Sequence, residues 1–226
     1  MEERTVASPQ LTPDQIAEVS SLVANYIKAQ REKALPLALP LSPTQRASMD
    51  GFFLPQVLDT TRLLVLNDTR VENPHFYLLL LQMGFTNLPD FSSMAAVSFC
   101  NVVVSHQPFS DALLFHELVH VEQYRQLGIP RFAELYVRGF LSGGGYDGIP
   151  LEINAYDLGG RFERNPKTRF SVRDEVGVGT GGEVLAWCMN NAARGTYRVS
   201  HPDLLDVFGH FKNKRFSARI WFPARS

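Results

Sequence analysis

The sequence predicts an α+β fold: a small sheet ending in an edge hairpin, then a central helix, then a mostly helical second half. Three observations carry this. Residues 110–128, SDALLFHELVHVEQYRQLG, are apolar at Leu113, Leu114, Phe115, Leu118, Val119 and Val121 between polar positions, the pattern of a buried helix. Directly before it, residues 94–106, MAAVSFCNVVVSH, read as two short strands, about 95–99 and 102–105, turning near Cys100-Asn101. After it, RFAELYVRGFL (131–141) and a segment starting near Pro150, LEINAYDLGGRF, carry helical patterns on either side of a flexible loop, GGGYDG (143–148).

At 226 residues and 45% hydrophobic, the chain can bury a sizeable core, and one domain over 11–226 is expected behind a flexible N-terminus, 1–10. Acids and bases are interspersed and the net charge is −1, which gives no electrostatic footprint for nucleic acid. MEERTVASPQ has no apolar signal-peptide core, and the densest apolar run, FYLLLL at 76–81, is too short to span a bilayer, so no transmembrane segment is expected and a cytoplasmic location is the default. The two cysteines, Cys100 and Cys188, lack metal-site spacing and read as reduced thiols; a disulfide would need the fold to bring them together.

In chain order, Thr12-Pro13-Asp14-Gln15 supplies an N-cap, a proline at the first helical position and a capping-box glutamine. Apolar residues at Ile16, Val19, Leu22, Val23, Tyr26 and Ile27 then predict a helix to about Glu32. ALPLALPLSP (34–43) holds three prolines and reads as an extended connector on the core surface. A short helix follows Ser42-Pro43, around 43–50, and Thr61–Leu66 (TRLLVL) reads as a strand ended by Asn67-Asp68. Residues 76–83 fit a buried helix or strand equally, and Asn87–Phe91 is a loop. Beyond 171, EVLAWCMNNAAR (183–194) and HPDLLDVFGHF (201–211) pattern as helices and RFSARIWF (215–222) as a strand, and 171–226 reads as a cap on the domain. GVGTGG (177–182) lacks the Lys-Ser/Thr of a phosphate loop, and His201 and His210 read as ordinary surface or core histidines.

The chemistry lies in the central helix. Ser110 is a good N-cap, Asp111 favours the positive helix end, and Gly128 followed by Ile129-Pro130 is a stop signal. Within it stands His116-Glu117-Leu118-Val119-His120, the HExxH pattern. Residues four apart on a helix are separated by about 40° around the axis, so His116 and His120 project from one face. Two imidazoles so placed favour Zn²⁺. Glu117, about 100° round from His116, reaches water at the metal as general base. Glu122 is on another side of the helix and a poor ligand. The other reading, two histidines satisfied by core hydrogen bonds, would bury a His-Glu-His face at a cost.

Residues 95–124, AAVSFCNVVVSHQPFSDALLFHELVHVEQY, resemble the core of small, uncharacterised bacterial zincin-like domains: strand, tight turn, strand, then a helix of the form LLxHELxHVxQ. Leu113, Leu114, His116, Glu117, Leu118, His120, Val121 and Gln123 match that form. Cys100 departs from it, since the turn there usually carries glycine. The resemblance implies a zincin-like fold, a metal and a metallopeptidase, more firmly than any substrate. In such enzymes the strand beside the cleft can bind a peptide by strand addition; here an ordinary hairpin closing a sheet is an equal reading.

A catalytic zinc site needs a third protein ligand and an open position. The extension HExxHxxGxxH is absent. Glu152, in the first turn of the helix near Pro150, fits the gluzincin solution, a glutamate from a second helix, and the resemblance also puts an acid in a PLE-type segment there. Asp157, Asp147 and Glu134 are the other candidates, Asp157 also as a partner for a ligand histidine's second nitrogen. Glu152 as a helix-terminal acid alone is the bland alternative. Tyr146 and Tyr156 are candidates to stabilise an oxyanion, with core packing the competing reading for each.

The expected activity is that of a zinc-dependent hydrolase, a peptidase acting on a peptide or protein substrate, with His116, His120 and Glu152 as metal ligands and Glu117 as general base. The competing class is an inactive zincin-like scaffold that binds a protein partner. A hydrolase of non-peptide amides would use the same ligands. Oligomeric state and specificity are not legible.

Overall fold

A computed structural model describes residues 10–85 and 87–180. The expected helices at 183–194 and 201–211, the strand at 215–222, Cys188, His201 and His210, and the residues up to 9 lie outside the described residues.

Helix α1, Pro13–Ala34, opens on the predicted capping box: Thr12 accepts from the Gln15 backbone N–H, and the Gln15 side chain accepts from that of Thr12. The same device starts α2, Pro43–Met49, at Ser42 and Gln45. Between them the proline-rich connector is more ordered than predicted. A single 3-10 turn at Leu35–Leu37 leads into a two-residue strand, β1, Leu39–Pro40. Proline is tolerated there because β1 is an edge strand with only one partner. A short helix the sequence did not disclose, α3 (Pro55–Thr60), precedes strand β2, Arg62–Val65. The leucine-dense run is helical, α4, Tyr77–Gln82, which resolves the ambiguity of periodicity at that point.

The hairpin forms as read: β3, Ala96–Phe99, pairs antiparallel with β4, Val102–Ser105. β4 also pairs in parallel with β2, and β2 antiparallel with β1, so the mixed sheet runs β1-β2-β4-β3. At the turn Cys100 takes a left-handed backbone, φ 61°, the conformation glycine adopts without steric cost. Asn101 holds the turn in place: its side chain donates to the Thr60 carbonyl at 2.8 Å and accepts from Arg31 Nε at 2.7 Å.

The central helix α5, Asp111–Gly139, is N-capped by Ser110 and broken where the stop signal was read. Gly128 has φ 70° and ψ 161°, so a first arm carrying HExxH ends there and a second arm sets off in a new direction. The glycine-rich segment after it is wound into a wide π turn, Phe140–Gly144, and a tight 3-10 turn, Gly145–Gly148, rather than an irregular loop. Helices α6, Pro150–Arg164, and α7, Val172–Thr180, complete the described chain.

Two apolar layers grip the first arm of α5. On one side Phe115 is fully buried and stacks on Phe162 of α6 at 4.4 Å, with Phe52, Phe53 and Phe170 around it. Burying one such ring contributes about 2–3 kcal/mol. Val172 and Val176 of α7 belong to this layer. On the other side, Phe99, Val102 and Val104 of the sheet pack with α1 and the second arm, where Phe132 stacks on Tyr124 at 3.7 Å. The HExxH turns are thus fixed from both sides.

Candidate metal centre

His116 and His120 leave the first arm of α5 from one face, as their spacing requires, and Glu152 meets them from the first turn of α6. The two Nε2 atoms are 3.1 Å apart. Oε2 of Glu152 lies 3.6 Å from His116 Nε2 and 3.4 Å from His120 Nε2. Donors about 2.0–2.1 Å from a tetrahedral zinc are separated by roughly 3.3 Å, so the three atoms already describe one face of such a site. Oε2 of Glu152 is also the sole buried side-chain oxygen or nitrogen among the described residues without a hydrogen-bond partner. A buried, unpartnered carboxylate oxygen facing two imidazoles is expensive unless a cation is shared among them. The donor set fits a metal ion.

The other acids do not join the cluster. Among the described residues, His116, His120 and Glu152 are the group of possible ligands close enough for one ion. Glu134 is held by Arg131 at 2.6 Å and Arg138 at 2.8 Å, which keep its carboxyl below the usual range. Asp147 and Asp157 are exposed. Glu122, buried, takes two hydrogen bonds from Arg125, 2.7 and 2.6 Å, and one from Gln126.

The tautomer of His120 follows from a residue whose role the sequence did not disclose. The Gln123 amide nitrogen donates to the Leu151 carbonyl at 3.0 Å and to Asn154 Oδ1 at 3.1 Å. Its oxygen is therefore left to accept, and it does so from His120 Nδ1 at 2.9 Å. With the proton on Nδ1, Nε2 presents its lone pair to the cluster. Gln123 also ties the HExxH arm to the turn that carries Glu152. This is the partner position considered for Asp157; the amide fills it because it stands one turn along the same helix. Gln123 stood among the residues of the HELxHVxQ pattern, but only the geometry shows its task.

Glu117 is buried and turned towards β3, where the Ser98 hydroxyl lies 2.8 Å from its Oε2 and 3.1 Å from its backbone carbonyl. Ser98, too, escaped the sequence reading: a serine in a short apolar strand gives no signal before the strand is placed against the helix. Tyr156 packs its ring 4.6 Å from that of His116. Tyr146 sits in the wall beside the cluster and hydrogen-bonds Glu152; burial first, then that carboxylate's charge, pushes its hydroxyl well above the ordinary value.

Charge in the metal-free cluster is shared. Burial pulls the His120 imidazole down, but the Glu152 carboxylate 3.4 Å away and the Glu117 charge outweigh burial and raise it to about 9. Burial pushes Glu152 up, and the two imidazoles more than reverse this, holding it well below the usual carboxylate range. Histidine 106, the nearest other histidine in sequence, is occupied elsewhere. Its Nε2 accepts from the Val71 N–H at 3.0 Å, so its Nδ1 donates to the Met94 carbonyl at 2.6 Å.

The cluster opens on a cavity of about 110 Å³ that runs along β3. β3 is an edge strand, yet all four of its residues are buried. Residues of α1 and of the 74–94 segment wall the cavity beside it, with Tyr26 meeting Phe99 edge-on at 5.9 Å. The strand thus flanks a pocket rather than an open groove. No helix among the described residues is long and apolar enough to cross a membrane. Compared with protein families, with curated proteins and with solved structures, the chain matches none of them.

Proposed function

We propose that the protein is a zinc-dependent hydrolase of amide bonds, of the peptidase type, on a zincin-like scaffold. The observation that carries this is the triangle of His116 Nε2, His120 Nε2 and Glu152 Oε2, with sides of 3.1, 3.4 and 3.6 Å, next to a buried Glu117. His116, His120 and Glu152 would hold the ion. Zinc in such a setting polarises a carbonyl and makes a water acidic near neutral pH. The rest is done by the chain. Gln123 fixes the His120 ring and its tautomer. Ser98 orients the Glu117 carboxylate, which takes a proton from the attacking water and passes it to the leaving nitrogen. The apolar wall excludes bulk water and strengthens every charge interaction in the site.

The test is Glu117→Gln, which keeps shape and removes the base. Against a library of peptide and acyl amides, wild type should show zinc-dependent cleavage and the variant a loss of at least about a hundredfold, with zinc content unchanged. A wild type that binds zinc, cleaves nothing, and keeps a partner in both forms would support the binding scaffold instead.

A further inference from the structure

One histidine holds both ends of the chain segment that walls the cavity. His106 directly follows β4, and its backbone N–H donates to the Ala95 carbonyl at 2.9 Å, so the ladder of the hairpin fixes its place. From there its ring reaches two distant points of the chain: Nε2 accepts from the Val71 N–H at 3.0 Å, and Nδ1 donates to the Met94 carbonyl at 2.6 Å. Between those points Phe76, Tyr77, Leu80, Phe85, Leu88 and Phe91 line the cavity beside His116, His120 and Glu152. A second clasp closes the segment on itself. Asn73 Nδ2 donates to Asp90 Oδ1, and the Phe91 N–H donates to Asn73 Oδ1, each at 2.8 Å. The segment is a loop with joined ends, attached to the end of the sheet by the His106 ring.

Both bonds of that ring are compatible with one form only, the neutral imidazole with its proton on Nδ1. A second proton sits on Nε2 and faces the Val71 N–H, donor against donor. Val71 is buried with Phe99, Val102 and Val104, where an N–H without an acceptor is costly. The Met94 bond survives, since Nδ1 donates in either form. A further tie to the loop, from the Tyr26 hydroxyl to the Glu72 carbonyl at 2.6 Å, is exposed, so water can replace it. Burial holds the His106 ring below its ordinary value of 6.5; the Met94 carbonyl works against burial and the charge of Arg70 with it. Asp68, Glu72 and His75, on the same stretch of chain, are exposed. Asp90 is held below the carboxylate range by Ser92 and Asn73, so it stays ionised where histidine titrates.

We propose that His106 is an acid-sensitive latch on the wall of the metal cavity: its neutral ring holds the loop closed, and its protonation releases the Val71 end while Met94 remains as the hinge. The latch stands on these bonds; its effect on turnover, which is to open the site in a mildly acidic medium, rests on the hydrolase reading. The closed form binds the proton less readily than the released form, so acid favours release. The effect starts as pH falls through about 6.5 and is complete below the lower value of the closed form, at most about tenfold per pH unit in between.

The test is amide hydrogen exchange, followed by NMR on the metal-free full chain from about pH 7.5 to about pH 5. Corrected for the intrinsic rate, exchange of the Val71 N–H should speed up about threefold or more towards the acid end, while that of Leu118 in the buried arm of α5 stays constant. No change at Val71, or equal changes at both amides, overturns the inference. His106→Gln offers an oxygen that accepts from Val71 at any pH, and it should abolish the response although His75 and His116 remain; a response that persists overturns the inference. If that variant does not fold, titration of the His106 ring in wild type decides. It should lie below 6.5, and a value at or above 6.5 means that the proton tightens the latch. Leu80→Cys probes the wall itself, with Phe85→Cys in its place if it does not fold. Its reaction with a soluble aromatic disulfide, above the background of the two native cysteines and corrected for thiolate content, should speed up in step with the Val71 amide. A constant rate contradicts control of the cavity by the latch. The acid response in a chain that binds no zinc keeps the latch and sinks the hydrolase reading; zinc binding and amide cleavage with an indifferent Val71 do the reverse.

Discussion

The Ser98 hydroxyl lies 2.8 Å from Oε2 of Glu117, joining the edge strand of the sheet to the carboxylate next to the His116, His120 and Glu152 cluster. Both residues are buried, so the bond is not shared with solvent and sets the direction in which the carboxylate faces. Ser98→Ala should lower turnover by about tenfold while leaving zinc content intact, with a stability loss of about 1–2 kcal/mol for the carboxylate's missing donor. Steady-state kinetics beside metal analysis checks this. Equal losses of zinc and turnover would mean that Ser98 supports the fold and not the base.

Gln123 makes a different prediction, because it acts on His120, one of the three proposed metal ligands. Its amide accepts from His120 Nδ1 and donates to the Leu151 carbonyl and Asn154. Gln123→Ala should weaken zinc about 10–100-fold, read by competition with a chromophoric chelator. Gln123→Glu keeps the acceptor for His120 and should retain more affinity than the alanine variant.

Much of this site was legible in the sequence, and the part that was not has a physical reason. The common face of His116 and His120, with Glu117 beside it, follows from helical spacing alone, because the geometry of two successive turns is local. The Thr12 capping box, the helix start after Ser42-Pro43 and the break at Gly128 are local for the same reason. Glu152 needed a second helix to be placed, and the resemblance supplied a candidate that the structure brings to the histidines. Ser98 and Gln123 could not be assigned roles from the chain, since their partners are fixed by how β3 and α6 pack on the central helix. The strand at Leu39–Pro40 was missed because its partner, β2, decides its conformation where prolines argue only against a helix.

The ionisation of the cluster predicts the pH behaviour of the metal-free protein. The His120 value, raised from 6.5 to about 9, contributes stability that is complete below about pH 6.5 and lost as pH rises through 9. Glu152 is lowered, so its contribution is present above its ordinary value of 4.5 and lost as the medium becomes strongly acidic. The metal-free melting temperature should therefore be highest between about pH 4.5 and 6.5. Zinc has to displace the His120 proton, so near pH 7.5 its binding should release about one proton from this residue, seen as a dependence of the calorimetric heat on buffer ionisation enthalpy. No such dependence would contradict a protonated His120.

Gly128 sits where its backbone, φ 70° and ψ 161°, is essentially closed to residues with a Cβ. Space is not the obstacle, since a Cβ there would come no nearer than 3.9 Å to Pro130. Gly128→Ala should cost about 1–3 kcal/mol through backbone strain alone, measured by urea unfolding. An unchanged midpoint would show that the second arm of α5 can leave the first by another path.

The central claim is that His116, His120 and Glu152 hold one zinc ion. Elemental analysis of protein purified without chelators, for wild type beside His116→Ala and Glu152→Ala, tests it most directly. The account predicts about one zinc per wild-type chain, none in His116→Ala and a clearly reduced content in Glu152→Ala. A wild type without zinc after zinc is added back, or full zinc in both variants, would contradict it.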